Sequence, residues 1–142
     1  MAYIAQADLT PRRITAKELV ELTDDAATGE VDTTVVTQIL DEASGKIDAY
    51  VGGKYTLPLS VTEQVKGLAV DIAAFLLFSR RRRMQPEIEM AYGEAMKFLK
   101  DVSAGRATLD QATVKQLSEM DVKKRDHVKD PETFDNTKLE GF

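Results

Sequence analysis

Residues Val65–Phe78 read "VKGLAVDIAAFLLF". Val65, Leu68, Ala69, Val70, Ile72, Ala73, Ala74, Phe75, Leu76, Leu77 and Phe78 spread around most of a helical circumference. A helix that is apolar nearly all round must be covered on several sides. The stretch therefore predicts a central helix from Val61 to about Arg82. Ser60 followed by Glu63 predicts a capping box at its start. At its far end "SRRRRM" sets cations at the negative end of the helix dipole. The longest apolar run, Ile72 to Phe78, is far too short to span a bilayer, so no membrane partner is expected.

The flanking segments supply helices to pack on it. "ITAKELVELTDD" places Thr15 three residues before Glu18, a second capping box, with Leu19 and Leu22 on one face. Asp32 is a good N-cap for the next helix. Val35, Val36, Ile39, Leu40, Ala43, Ile47, Tyr50 and Val51 follow at helical spacing, with Asp41, Glu42, Lys46 and Asp48 off the stripe. Gly52 and Gly53 predict its stop through the left-handed conformation glycine readily takes. "KYTLPL" then reads as a short extended linker, because Pro58 biases Leu57 away from helix. Its Tyr55, Leu57 and Leu59 need somewhere to pack.

Pro86 at a first helical position, with Glu87 and Glu89 behind it, opens a fourth helix. Ile88, Ala91, Tyr92, Ala95, Phe98, Leu99 and Val102 make its stripe, and Gly105 is the stop. Leu68, Ile72, Leu76, Ile39 and Leu99 are the expected core. After Gly105 the composition turns polar and mixed in charge. Val114, Leu117, Val122, Val128, Phe134, Leu139 and Phe142 are scattered apolar anchors there. Such a segment buries too little to fold alone and is expected to order on a partner. The fold class expected is all-α: a bundle of about four helices over 1–109, with a long extended C-terminal arm over 110–142.

Composition bounds the function. The 142 residues are 43% hydrophobic and 30% charged, which fits one water-soluble domain. The absence of cysteine excludes disulfides and thiolate metal sites and suits a reducing compartment. The opening "MAYIAQADL" lacks the basic start and apolar stretch of an export signal. A net charge of −5 argues against a dedicated nucleic-acid binder, though it leaves room for a local basic patch.

The chemistry-bearing residues are sparse. "DDAATGEVDTTV" imitates a calcium loop with Asp24 first and Gly29 sixth. Ala26 and Val35 stand where oxygen ligands belong, so a turn with a helix cap is expected. His127 stands alone in the polar tail. Asp71, on the buried helix, calls for a hydrogen-bonded or cationic partner. Arg80, Arg81, Arg82 and Arg83 suit a phosphate, a helix end or a subunit contact. No Gly-rich phosphate loop, serine elbow or His–Glu metal pattern occurs. The expectation is a protein that is not an enzyme, with no catalytic residues, cofactor or metal.

Four segments in order carry a resemblance: "ELVELTDDAATGEVDTTVV", "ILDEASGKIDAYVGGKYTLPL", "LAVDIAAFLLF" and "YGEAMKFLKDVSAGRATL". Together they resemble the Mu-like phage protein family long known as a domain of unknown function. Its members are similar to head-completion, or head–tail connector, proteins of tailed phages. The likeness runs from about Ala5 to Leu109 and is clearest over Lys46–Leu59 and Asp71–Phe75. "LTPRRIT" departs from the family's usual turn, and nothing carries over beyond Leu109.

The resemblance implies a virion subunit of the neck, at the portal vertex, made in the host cytoplasm. It implies a homo-oligomeric ring, commonly twelve-fold, between the portal protein and a tail, terminator or stopper protein. Genomic DNA would pass through its channel without sequence-specific contact. The alternative is a small DNA-associated packaging accessory that uses Arg80–Arg83. Tyr55, Leu57, Leu59, Arg80, Arg81, Arg82, Arg83, Phe134, Leu139 and Phe142 are the candidate subunit or portal contacts.

Overall fold

The computed structural model describes residues 2–110. Five helices follow in chain order: α1 (Gln6–Leu9), α2 (Ala16–Thr23), α3 (Thr33–Val51), α4 (Glu63–Arg80) and α5 (Pro86–Ser103). The fold is all-α, with no strand among the described residues. Helices α3, α4 and α5 pack on one another, while α1 and α2 lie against α3 and α4. The arm beyond Asp110, with its anchors Phe134, Leu139 and Phe142, lies outside the described residues, as does His127.

Local chemistry explains most boundaries. The Thr15 hydroxyl accepts the Glu18 N–H at 3.2 Å, and the Glu18 carboxylate accepts the Thr15 N–H at 2.9 Å. These two bonds close the expected capping box of α2. They also hold the Glu18 carboxyl below its usual range, the Thr15 N–H being the largest cause. Asp32 caps α3 by accepting from the N–H groups of Thr34 and Val35. Pro86 opens α5. Gly105, at φ 84°, ends that helical stretch in the left-handed region that favours glycine.

Three boundaries depart from expectation. First, α4 starts at Glu63 with Thr62 as N-cap, not Ser60; the Thr62 hydroxyl accepts the Val65 N–H at 3.3 Å. Second, Gly52 ends α3 in right-handed conformation, at φ −61°. Its glycine serves close approach instead: a Cβ there would lie 3.2 Å from Leu57 Cδ1 and 2.8 Å from the Asp48 carbonyl oxygen. Third, the bundle has a fifth helix. α1 is a single turn capped by Asp8, whose carboxylate accepts the Ala5 N–H at 2.8 Å.

The core is one apolar cluster. Ile72, Leu99, Ile39 and Leu68 are buried as expected, at 0%, 0%, 8% and 9% exposure. Leu76 is only half-buried, because the α4 surface is not enclosed on every side. At that open edge Phe75 stacks on Tyr92 of α5, with ring centroids 3.7 Å apart, and Lys46 of α3 reaches the Tyr92 ring. The N-terminal segment contributes more than its sequence suggests: Tyr3, Ile4, Leu9 and Ile14 are all core. Among the described residues, both buried polar side chains other than tyrosine are satisfied. Thr23 donates to the Leu19 carbonyl and accepts the Asp32 N–H, and Ser44 accepts the Tyr3 N–H.

Candidate functional site

The corner between α3 and α4 is held by two tyrosine hydroxyls. The Tyr3 hydroxyl donates to the Asp48 carboxylate on α3 and accepts the Leu59 N–H at 3.2 Å. The Tyr55 hydroxyl accepts the Leu109 N–H at 3.2 Å, tying the corner to the chain beyond α5. Asp110 continues that seam, its N–H donating to Gln64 Oε1 at 2.9 Å. Burial first, and the Asp48 hydrogen bond second, push the Tyr3 pKa above the usual tyrosine range.

The three apolar residues of the linker differ in burial. Tyr55 and Leu59 point into the core, at 4% and 5% exposure. Leu57 does not join them: it is 40% exposed, and Val61, four residues on, is 53% exposed. The corner therefore exposes two apolar side chains that flank in sequence the Leu59 N–H held by Tyr3.

The four arginines at the end of α4 have separate fates. Arg80 and Arg81 both pair with Asp25 and both donate to the Leu22 carbonyl, at 3.1 and 3.4 Å. They close the C-terminal end of α2, where cations complement the helix dipole. Arg83 pairs with Glu21 at 3.2 Å. Arg82 is exposed, takes φ 55°, and its guanidinium has no partner among the described residues. The hydrogen bond from Arg80 is the largest cause holding the Asp25 carboxyl below its usual range. The same bond raises the Arg80 pKa.

Asp24 anchors the turn that imitates a calcium loop. Its carboxylate accepts the N–H groups of Thr28 and Gly29, at 2.9 and 2.7 Å. Those two bonds are the largest causes lowering its pKa. Among the described residues, no three carboxylate or histidine side chains converge as metal ligands would.

Asp71 has the cationic partner its position requires: Arg13 Nε lies 2.7 Å from Oδ1. Arg13 also separates two open surface depressions. One, of about 250 Å³, is lined by Arg12, Arg13, Gly67, Val70 and Asp71. The other, of about 360 Å³, is lined by Arg13, Pro86, Glu87, Met90, Ala91 and Glu94. Met90, at 66% exposure, is the most exposed large apolar side chain described. The exposed apolar residues thus fall into two places, Leu57 with Val61 at the corner, and Met84 with Met90 about the start of α5. Of these four exposed side chains, the sequence reading singled out Leu57 and not Val61, Met84 or Met90. For Met90 the available signal was a large apolar residue standing off the stripe of α5; Val61 and Met84 lie outside the helices and carry no such signal.

These features define a small all-α module with open surface depressions and exposed apolar side chains among its described residues. The chain belongs to the Bacteriophage Mu, Gp36 family, whose model matches residues 3–125. It is similar to the Mu-like prophage FluMu protein gp36 of Haemophilus influenzae, at 28% identity over 110 residues and 77% of each chain. The family match begins ahead of Ala5 and continues past Leu109, through Arg125. No helix among the described residues is long and apolar enough to cross a membrane.

Proposed function

We propose that this chain is a structural protein of the phage particle, without enzymatic activity. In finer terms it is a head–tail connector subunit, assembling as a ring, twelve-fold in the expected form, between portal and tail proteins. Its place is the neck, with DNA passing through the ring. Membership of a phage protein family supports the coarse reading.

The observation that carries the finer reading is the corner. A segment held at Leu59 by the Tyr3 hydroxyl, and at Tyr55 by its bond to the Leu109 N–H, exposes Leu57 and Val61. Rigid apolar side chains on a pinned backbone suit a contact with a neighbouring subunit, because little conformational freedom remains to be lost on binding. The arm over 110–142 supplies a second contact, through Phe134, Leu139 and Phe142 to the portal or an adjacent subunit. The pairing of Arg80, Arg81 and Arg83 with Asp25 and Glu21 weighs against a phosphate-binding patch there.

Purification of assembling particles tests this reading. The chain should remain with the portal through gradient sedimentation, and a double variant, Leu57→Asp with Val61→Asp, should not. A chain absent from particles, or salt-sensitive DNA binding by the isolated chain, would overturn it.

A further inference from the structure

We infer that the basic stretch Val122–Lys129 of this chain docks in the depression around Met90 on its own subunit while that subunit is free. The depression has an apolar floor and wall in Ala91 and Met90, with Glu87 and Glu94 on its lips. Glu87, Met90 and Glu94 follow at spacings of three and four, so they share one face of α5. Arg13, on the opposite wall, is engaged with Asp71, which leaves the glutamates as the groups able to choose an occupant.

The occupant should be apolar and cationic. Val122–Lys129 reads "VKKRDHVK", with Lys123, Lys124, Arg125 and Lys129 against Asp126 alone, and a valine near each end. A second copy presenting the same face fits poorly, because it would set Glu87 and Glu94 against their own counterparts.

The reach is sufficient. The chain is anchored at Asp110 by its hydrogen bond to Gln64, in the first turn of α4. Seven residues along α4, about 10 Å, lead from there to Asp71. Crossing to α5 adds about 8–10 Å. Residues 111–121 span up to about 36 Å when extended. The docked stretch would cover Met90 before assembly, and in the connector reading its release would free the arm for a partner. Only that release rests on the connector reading.

The test uses the full chain at low concentration, as an equal mixture of nitrogen-15-labelled and unlabelled protein. A carbodiimide joins lysine amines to carboxylates they already touch, and mass spectrometry locates the amides. The expected result is Lys123 or Lys124 joined to Glu87 or Glu94 within one isotopic population. Hydrogen exchange supplies a second reading. Lys123→Glu with Lys124→Glu should speed exchange across Pro86–Glu94 roughly fivefold, as the loss of rim ion pairs allows. Adding Glu87→Lys with Glu94→Lys reverses both sets of charges and should restore protection and coupling. The proposal is overturned if those lysines couple only to other carboxylates, if coupling joins only separate copies, or if exchange ignores the charge swap. None of these measurements involves a particle, so failure here and failure of the connector reading are separate results.

Discussion

The Leu59 N–H donates to the hydroxyl of Tyr3, fifty-six residues earlier, and that hydroxyl donates onward to Asp48 of α3. One side chain from the start of the chain therefore fixes both the end of the corner and the helix that leads into it. Tyr3→Phe removes the donor and acceptor together and leaves the buried Leu59 N–H without its partner. The expected loss is about 1–3 kcal/mol of unfolding free energy. Urea titration of the two proteins measures it.

The same hydroxyl gives an alkaline signature. Folding raises the Tyr3 pKa above its usual 10.0, through burial first and the Asp48 hydrogen bond second. The folded state then holds the proton more tightly than the unfolded chain, so this contribution is complete below the unfolded tyrosine range. It fades as pH rises through that range and the raised folded pKa. The wild-type melting temperature should fall more steeply than that of Tyr3→Phe over this window.

Acid acts through the other end of the bundle. The Asp25 carboxyl is held below its usual 3.8, chiefly by the hydrogen bond from Arg80. A depressed carboxyl stabilises the fold above its unfolded pKa, and the contribution is lost as pH falls through the folded value. Asp25→Asn should lower the melting temperature at neutral pH and flatten the acid decline. Some slope should remain, because Asp24 and Glu18 are depressed as well. Thermal melts across the acid range check both statements.

Core position sets the scale of the next effect. Ile72 is fully buried, so Ile72→Ala should cost roughly 2–5 kcal/mol. Leu76→Ala, one turn further along α4, should cost clearly less, because that side chain is only half-buried. Equal losses in denaturant titrations would contradict the described edge of the bundle.

The long helices were legible in the sequence because their apolar stripes, caps and stop residues agreed. Asp32, Pro86 and Gly105 each mark a boundary through chemistry local to the boundary. The single turn α1 was not legible. It is too short to show a period, and its cap depends on Asp8 reaching back to Ala5. The start of α4 was misplaced because Ser60 and Thr62 both precede Glu63 and both can cap. At Gly52 the residue was right and the reason wrong: local conformation is not what the glycine supplies, but room beside the Asp48 carbonyl and Leu57.

The candidate surfaces were less legible, since exposure is settled by tertiary packing. Tyr55, Leu57 and Leu59 alternate along the linker, yet Tyr55 and Leu59 are buried and Leu57 is exposed, and the Tyr3 bond to the Leu59 N–H is absent from any local pattern. The arginine run looked like one patch. The placement of Asp25 and Glu21 divides it into three paired cations and one without a partner among the described residues.

Exposed apolar side chains should matter to assembly more than to folding. Val61→Asp should shift stability by no more than about 0.5 kcal/mol, as typical surface substitutions do, and Leu57→Asp by more, because Leu57 also packs on Gly52. Each should nevertheless reduce incorporation into particles. Parallel melts and particle sedimentation separate the two effects.

The most direct measurement of the central claim is electron microscopy of the portal vertex in intact particles. The connector account predicts a closed ring of this helical bundle between portal and tail, with Leu57 and Val61 buried at a subunit contact. A resolved neck built from other proteins alone, with this chain missing from the particle, would contradict it.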